Sequence, residues 1–185
     1  TNALLALVSA AQHGAEWQSA LDRLHTQFSH LVEQAVPGLS DHQQKQLQLA
    51  TQQQLQALAD YAKGIALLRH CPDPVQARML GTGEQFSVAL MTVLLKARGL
   101  DAGSLDSTRV VRSQGDYLNA GADLPATRAA FAAAKAQGMP RIAVMAGFIP
   151  GLANDEPALL GRNGSDYSAA IIAAGIIPAG LEMMD

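Results

Sequence analysis

Five consecutive residues, Arg162-Asn163-Gly164-Ser165-Asp166, gather a guanidinium, a turn pair, a helix-capping hydroxyl and a carboxylate. They sit inside LLGRNGSDYSAAIIAAG (159–175), where small and apolar residues follow at once. A helix starting near Ser165 leaves its first backbone N–H groups without partners and turns the positive end of its dipole toward the turn. Such a terminus attracts a carboxylate or a phosphate, and Arg162 adds a fork able to grip a carboxylate through two hydrogen bonds. An ordinary strand–turn–helix junction, with a Ser cap and a solvated Arg and Asp, accounts for the same residues. The two readings balance.

A second constellation is Gly81-Thr82-Gly83-Glu84-Gln85-Phe86-Ser87. Glycine permits close approach of a ligand to the backbone, and Glu84 offers a carboxylate to an ammonium group. No Gly-Lys-Ser/Thr follows, so this is not a P-loop, and no strand precedes it, so it is not a dinucleotide fingerprint. Spacing alone favours a Gly hinge between two helices, with Glu84 favouring the dipole of the second. Cys71, the one cysteine, can form no intrachain disulfide, which suits a reducing cytoplasm, and reads as a small packing residue. His13, His25, His30, His42 and His70 form no H-x-x-x-H or Cys/His cluster, so no protein-ligated metal site is expected.

The 185 residues suffice for one domain with a sizeable core. Apolar residues make up 49% and aromatics only 4%, so Ala, Leu, Ile and Val must fill that core. Net charge is −3 and the 13 Lys and Arg are dispersed, which argues against nucleic acid as a partner. No apolar run reaches the roughly 18 residues that cross a bilayer, and the apolar start lacks a basic leader, so neither a membrane span nor a signal peptide is expected. A chain that begins at Thr1 and runs straight into helical sequence reads as a fragment.

The elements that must hold these residues follow from periodicity. Leu4, Leu5, Val8 and Ala11 make one helical stripe ending near Gly14, and Trp17, Leu21, Leu24, Phe28, Leu31, Val32 and Ala35 make a second that stops at Pro37-Gly38. Ser40 with Gln43 is a capping box for a third helix, carrying Leu47, Leu55, Leu58, Ala62 and Ile65. Asp73 as N-cap with Pro74 starts a short helix expected to break at Gly81–Gly83 and resume from Phe86 to Gly99. Residues 1–99 are thus mainly helical. In 100–185 strands and helices alternate: strands at 102–105 and 109–111, a helix at 125–137, a strand buried on both faces at 142–148 and a short strand at 158–160. The pattern predicts an α/β domain with a largely parallel sheet. The tail 176–185 has no clear period.

GFIPGLANDEPALLGRNGSDYSAAIIAAG resembles the substrate-binding core of aspartokinases, G-F followed after a variable stretch by L-G-R-(G/N)-G-S-D-x-(S/T)-A. GTGEQFSVALMTVLLKARGLDA resembles that family's (R/G)-G-E-x-x-(S/T) helix, and Thr1-Asn2-Ala3-Leu4-Leu5 its V-T-(N/D)-x-L stretch. Asn163 in place of the commoner Gly, and KGIALL before Cys71-Pro72-Asp73, are most similar to the fused aspartokinase–homoserine dehydrogenase enzymes. The resemblance implies a three-layer α/β/α amino-acid kinase (carbamate kinase-like) fold, here a partial domain over 1–185. It also implies ATP-dependent phosphorylation of L-aspartate, with ATP and Mg2+ as cofactors of the complete enzyme, on the route to lysine, threonine and methionine.

By the same resemblance Arg162 binds the α-carboxylate of aspartate and Glu84 its ammonium. Thr1 and Ser165 hydrogen-bond the substrate, Asn163 and Gly164 complete the binding turn, and Asp166 is the catalytic residue ordering the polar network. No cofactor-binding residue is assigned. The family's K-(F/Y)-G-G-(T/S) strand and its nucleotide half have no counterpart in the sequence, so the chain by itself is expected to be inactive. Apolar helical faces suggest a homo-oligomer. Two other readings stand beside this one: a glutamate or acetylglutamate kinase-like enzyme, and a non-catalytic helical module whose glycines are hinges.

Overall fold

A computed structural model of the protein describes residues 1–161 and 164–176. Arg162, Asn163 and the tail beyond residue 176 lie outside the described residues. Four helices form the first half: α1 (Asn2–His13), α2 (Trp17–Ala35), α3 (Asp41–Leu68) and α4 (Asp73–Ala97). The expected caps hold α1 and α3. Gly14 closes α1 in the left-handed region at φ 68°, donating to Ala10 and Ala11 carbonyls, where the Arg69 guanidinium lies too close for any β-carbon. At the start of α3 the Ser40 amide donates to Gln43 Oε1 at 2.9 Å while Ser40 Oγ accepts from the Gln43 amide.

Most of the apolar stripes predicted from spacing become the main core, but Leu5 and Leu31, each 41% exposed, lie outside it and Leu7 takes the buried place in α1. Leu4, Leu7, Val8 and Ala11 of α1 pack with Leu24, Phe28 and Val32 of α2, Leu58, Ala62 and Ile65 of α3, and Ala77, Met79 and Phe86 of α4. Phe28 and Phe86 stack with centroids 4.2 Å apart. Each fully buried Leu here contributes about 1.5–3 kcal/mol by leaving water.

The break expected at Gly81–Gly83 does not occur; α4 runs through both glycines as one helix of 25 residues. A β-carbon at Gly81 would lie 2.9 Å from Ile149 Cδ1, so the glycine serves close packing across the helix rather than a bend. Packing on α1 and α3 overrides the weak local propensity of glycine. The N-cap also shifts: Pro72 holds that position, with Asp73 in the first turn.

In the second half β1 (Ala102–Leu105) pairs in parallel with β4 (Ile142–Met145), Ala102 opposite Ile142 and Leu105 opposite Met145. Between them lie α5 (Ser107–Val110), the antiparallel hairpin β2 (Ser113–Asp116) and β3 (Asn119–Ala122), and α6 (Leu124–Ala136); α7 (Gly164–Ile176) packs on α6. Three expectations are corrected. Residues 109–111 are not a strand, because the Asp106 carboxylate accepts from the Thr108 amide and caps α5 instead. The strand at 142–148 is shorter and not buried on both faces: Ile142 is 38% exposed, since among the described residues β1 is its only neighbour in the sheet. Residues 158–160 are not an assigned strand, yet the Leu159 amide donates to Tyr117 O at 2.7 Å and Leu159 O accepts from Ala120 at 2.8 Å. Among the described residues the strands form two separate two-stranded sheets, parallel in β1–β4 and antiparallel in β2–β3, with one isolated parallel bridge between Arg112 and Gly151, so the largely parallel sheet expected from the sequence is not present.

That extended stretch joins two cores. Side chains alternate along extended backbone, so Leu159 enters the helical core while Leu160 enters a smaller cluster with Val111 and Ile171. No helix among the described residues is long and apolar enough to cross a membrane.

Candidate functional site

A cleft of about 480 Å³ opens where α1, α4, the hairpin tip and the first turn of α7 meet. Thr1, the N-cap of α1, and Leu5 one turn on reach it, and Gln76, Leu80 and Glu84 reach it at successive turns of α4. Leu118 comes from the hairpin tip, Phe148 and Leu159 from the chain that precedes α7, and Gly161, Gly164, Ser165 and Asp166 from the motif itself. Five of the residues singled out in the sequence therefore share one cleft: Thr1, Glu84, Gly164, Ser165 and Asp166. Arg162 and Asn163 lie outside the described residues, between two glycines that line it.

The motif is held by close approaches that only particular residues allow. Gly161 has φ 75°, and a β-carbon there would lie 2.6 Å from Asn119 Oδ1. A β-carbon at Gly164 would collide with the Phe148 ring and lie 3.2 Å from Leu160 Cβ. Phe148 itself adopts φ 70°, rare for an aromatic residue, and its amide donates to Ser168 Oγ at 2.7 Å. Ser168 Oγ donates in turn to Gly164 O at 2.8 Å, tying the first turn of α7 to the cleft wall.

Because α7 begins at Gly164, Ser165 falls inside its first turn rather than at the cap position the sequence suggested. The turn lines the cleft, and the N-terminal end of a helix, with its dipole, favours an anion. Opposite stands half-buried Glu84, which has no hydrogen-bond or ion-pair partner among the described residues. Glu84 is mid-helix, so the helix-terminus reading of its charge does not apply. Thr1 leaves its hydroxyl out of any cap hydrogen bond. The arrangement offers a carboxylate for a cation and a helix terminus for an anion across a partly apolar floor of Leu5, Leu80, Phe148 and Leu159. That suits a small zwitterion.

Sequence reasoning missed the supports behind this cleft. The Tyr117 hydroxyl donates to Glu156, which also accepts from Asn154 Nδ2 at 3.1 Å and faces Arg78 Nη2 at 3.5 Å. The Tyr117 bond holds the Glu156 carboxyl below its usual range and Tyr117 above its own. Arg112, with only 14% of its side chain exposed, donates to Asp155 Oδ1 and Leu152 O, each at 2.6 Å. No local pattern announces these pairs; only the i, i+4, i+8 spacing of Gln76, Leu80 and Glu84 was available to extend the site. Cys71 is buried, and burial followed by the Asp73 carboxylate pushes its thiol up, as a packing residue requires.

The model of the amino acid kinase family matches residues 4–183. The chain is 30% identical over 152 residues to the bifunctional aspartokinase/homoserine dehydrogenase of Buchnera aphidicola subsp. Acyrthosiphon pisum, covering 80% of this chain and 18% of that protein. It is 38% identical over 103 residues to the bifunctional enzyme of Haemophilus influenzae, covering 55% and 12%. The chain thus spans less than a fifth of the length of these curated relatives. Among solved structures it resembles Escherichia coli aspartokinase III in complex with lysine and aspartate, with TM-score 0.81 and 22% identity over 95% of this chain and 38% of that one. The same enzyme in complex with aspartate and ADP gives 0.78 at 22% identity, over 94% and 38%. The described architecture is accordingly the amino-acid kinase fold, present as a partial domain with a helix-rich N-terminal half. With the family match running nearly end to end and the fold likeness equally broad, the chain belongs to the amino acid kinase family, as an aspartokinase-like portion of its catalytic domain.

Proposed function

We propose that this chain forms the substrate-binding portion of an aspartate kinase, which transfers the terminal phosphoryl group of ATP to the side-chain carboxylate of L-aspartate, giving 4-phospho-L-aspartate. The reading rests on one observation: Thr1, Glu84 and the Gly164-Ser165-Asp166 turn, far apart in sequence, line a single cleft. Glu84 meets the substrate ammonium. The α-carboxylate is met by Arg162, whose flanking Gly161 and Gly164 both line the cleft, together with the first turn of α7. Thr1 and Ser165 donate hydrogen bonds, Asn163 and Gly164 shape the turn, and Asp166 orders the polar network beside the reacting carboxylate. Pinning both ends of the amino acid leaves its side chain positioned for phosphoryl transfer, which depends chiefly on placement and charge neutralisation.

Nucleotide use is supported by the family and by the ADP found with the Escherichia coli enzyme. Among the described residues no group of three His, Cys, Asp or Glu could cage a metal. The residues present fit Mg2+ only as an ion carried by nucleotide phosphates and touched by one or two carboxylates. On this reading the isolated chain binds aspartate but turns over little or not at all. In the complete enzyme the reaction is the first step toward lysine, threonine and methionine.

Calorimetric titration with L-aspartate and L-glutamate tests this. Aspartate binds preferentially; Glu84→Ala and Arg162→Ala each weaken it about tenfold or more by removing a charged partner, while Lys45→Ala, exposed on α3, leaves it unchanged. Equal losses in all three variants, or a preference for glutamate, sink the reading.

A further inference from the structure

The hairpin β2–β3 has a two-residue turn, Tyr117-Leu118, that is unfavourable by its own sequence. Tight two-residue hairpins prefer turns with positive φ, supplied by Asn, Asp or Gly. Neither Tyr117 nor Leu118 has positive φ. Without outside help such a turn splays its strands. Yet the tip has to be placed closely, because Leu118 lines the cleft and Asn119 Oδ1 stands against the backbone of Gly161. Three bonds draw it in: Leu159 N–H to Tyr117 O, Ala120 N–H to Leu159 O, and the Tyr117 hydroxyl to Glu156. The first two are backbone bonds to the extended stretch that leads into the motif. The third is a side-chain tether of the turn, and its acceptor is braced by Asn154 and faces Arg78 on α4, the helix that carries Glu84.

We infer that Glu156 is a positioning residue for the substrate cleft: by holding the Tyr117 hydroxyl it seats the hairpin tip, and so Leu118 and Asn119, against Leu159 and Gly161. Glu156 is not among the described residues lining the cleft. Its role is to fix one wall of the cleft relative to α4, and it rests on the aspartate-binding reading only for the identity of what the wall encloses. The backbone bonds of the tip report on the tether directly, whatever ligand the cleft takes.

Amide hydrogen exchange and L-aspartate titration on the same variants separate the two questions. Tyr117→Phe and Glu156→Ala are each expected to speed exchange at the Ala120 and Leu159 amides about tenfold, with no added effect in the double variant. Amides in the centre of α3 should not change. Glu156→Gln, which keeps an acceptor for the hydroxyl, should recover most of the protection. Unchanged exchange at Ala120 and Leu159 overturns the tether. If exchange quickens while aspartate affinity stays at the wild-type value, the tether exists but the positioning role is overturned; a loss of about three- to tenfold in affinity in step with exchange supports it. If wild-type protein binds no aspartate, the aspartate reading and the substrate part of this inference both fall, while the exchange result still decides whether Glu156 seats the hairpin.

Discussion

Gly164 packs directly on Phe148: the aromatic ring and the Phe148 Cα occupy the space a β-carbon would need. The first residue of α7 is thereby held against the residue that follows β4 and Gly147, and the helix terminus is aimed at the cleft. Gly164→Ala would force the Phe148 ring or the backbone of the turn to move. A destabilisation of about 1–3 kcal/mol is expected, the usual cost of overpacking, with a lower thermal midpoint and weaker aspartate binding. A midpoint at or above the wild-type value would show that the turn has slack the packing does not suggest.

Ser168 makes the companion contact. Its hydroxyl accepts from the Phe148 amide while donating to Gly164 O, and the residue is 4% exposed. Ser168→Ala leaves a partly buried amide without a partner and releases a left-handed Phe148 from the bond that holds it. Loss of about 1–3 kcal/mol in denaturant unfolding is expected. Ser168→Thr, which keeps the hydroxyl, should recover part of that loss only if the added methyl fits.

Gly64 gives the opposite sign. It lies inside α3 with nothing within 4 Å of a built β-carbon and no positive φ. Gly64→Ala is expected to stabilise the chain by about 0.5–1 kcal/mol through backbone entropy. Aspartate binding should be untouched, which makes this variant a useful background for weaker mutants.

The Tyr117–Glu156 pair predicts a pH window. Glu156 has a depressed carboxyl pKa in the folded chain, so its contribution is complete above the unfolded value of about 4.3 and fades as pH falls through the folded one. Tyr117 is raised, so its contribution is complete below about pH 10 and fades as pH climbs toward the folded value. Protection of the Ala120 amide, corrected for intrinsic exchange, should hold between these limits and decline outside them. Tyr117→Phe should flatten both edges; edges that persist in that variant would assign them to other groups.

Periodicity made α1, α2 and α3 legible in the sequence and placed α4 without its continuity. Stripes such as Leu24, Phe28 and Val32 are local, repeat every three or four residues and could only be buried one way, and the Ser40–Gln43 cap lies within a single turn. The motif residues were legible for the same reason: a hydroxyl, a carboxylate and glycines adjacent in sequence mark a turn whatever surrounds it. What the tertiary structure decided was everything carried by contacts between distant residues. Gly81 looked like a break because propensity is local, whereas in the fold the helix runs through it with Ile149, 68 positions away, packed closely against the glycine. The hairpin at 113–122 was invisible because Ser113-Gln114-Gly115-Asp116 has no apolar alternation, and the residues bonded to its tip, Leu159 and Glu156, are about 40 positions away. That Glu84 and Ser165 face one cleft was likewise beyond reach of spacing, since loop closure over 80 residues is set by packing of α1, α4 and α7 around it and not by any pattern in the chain between them.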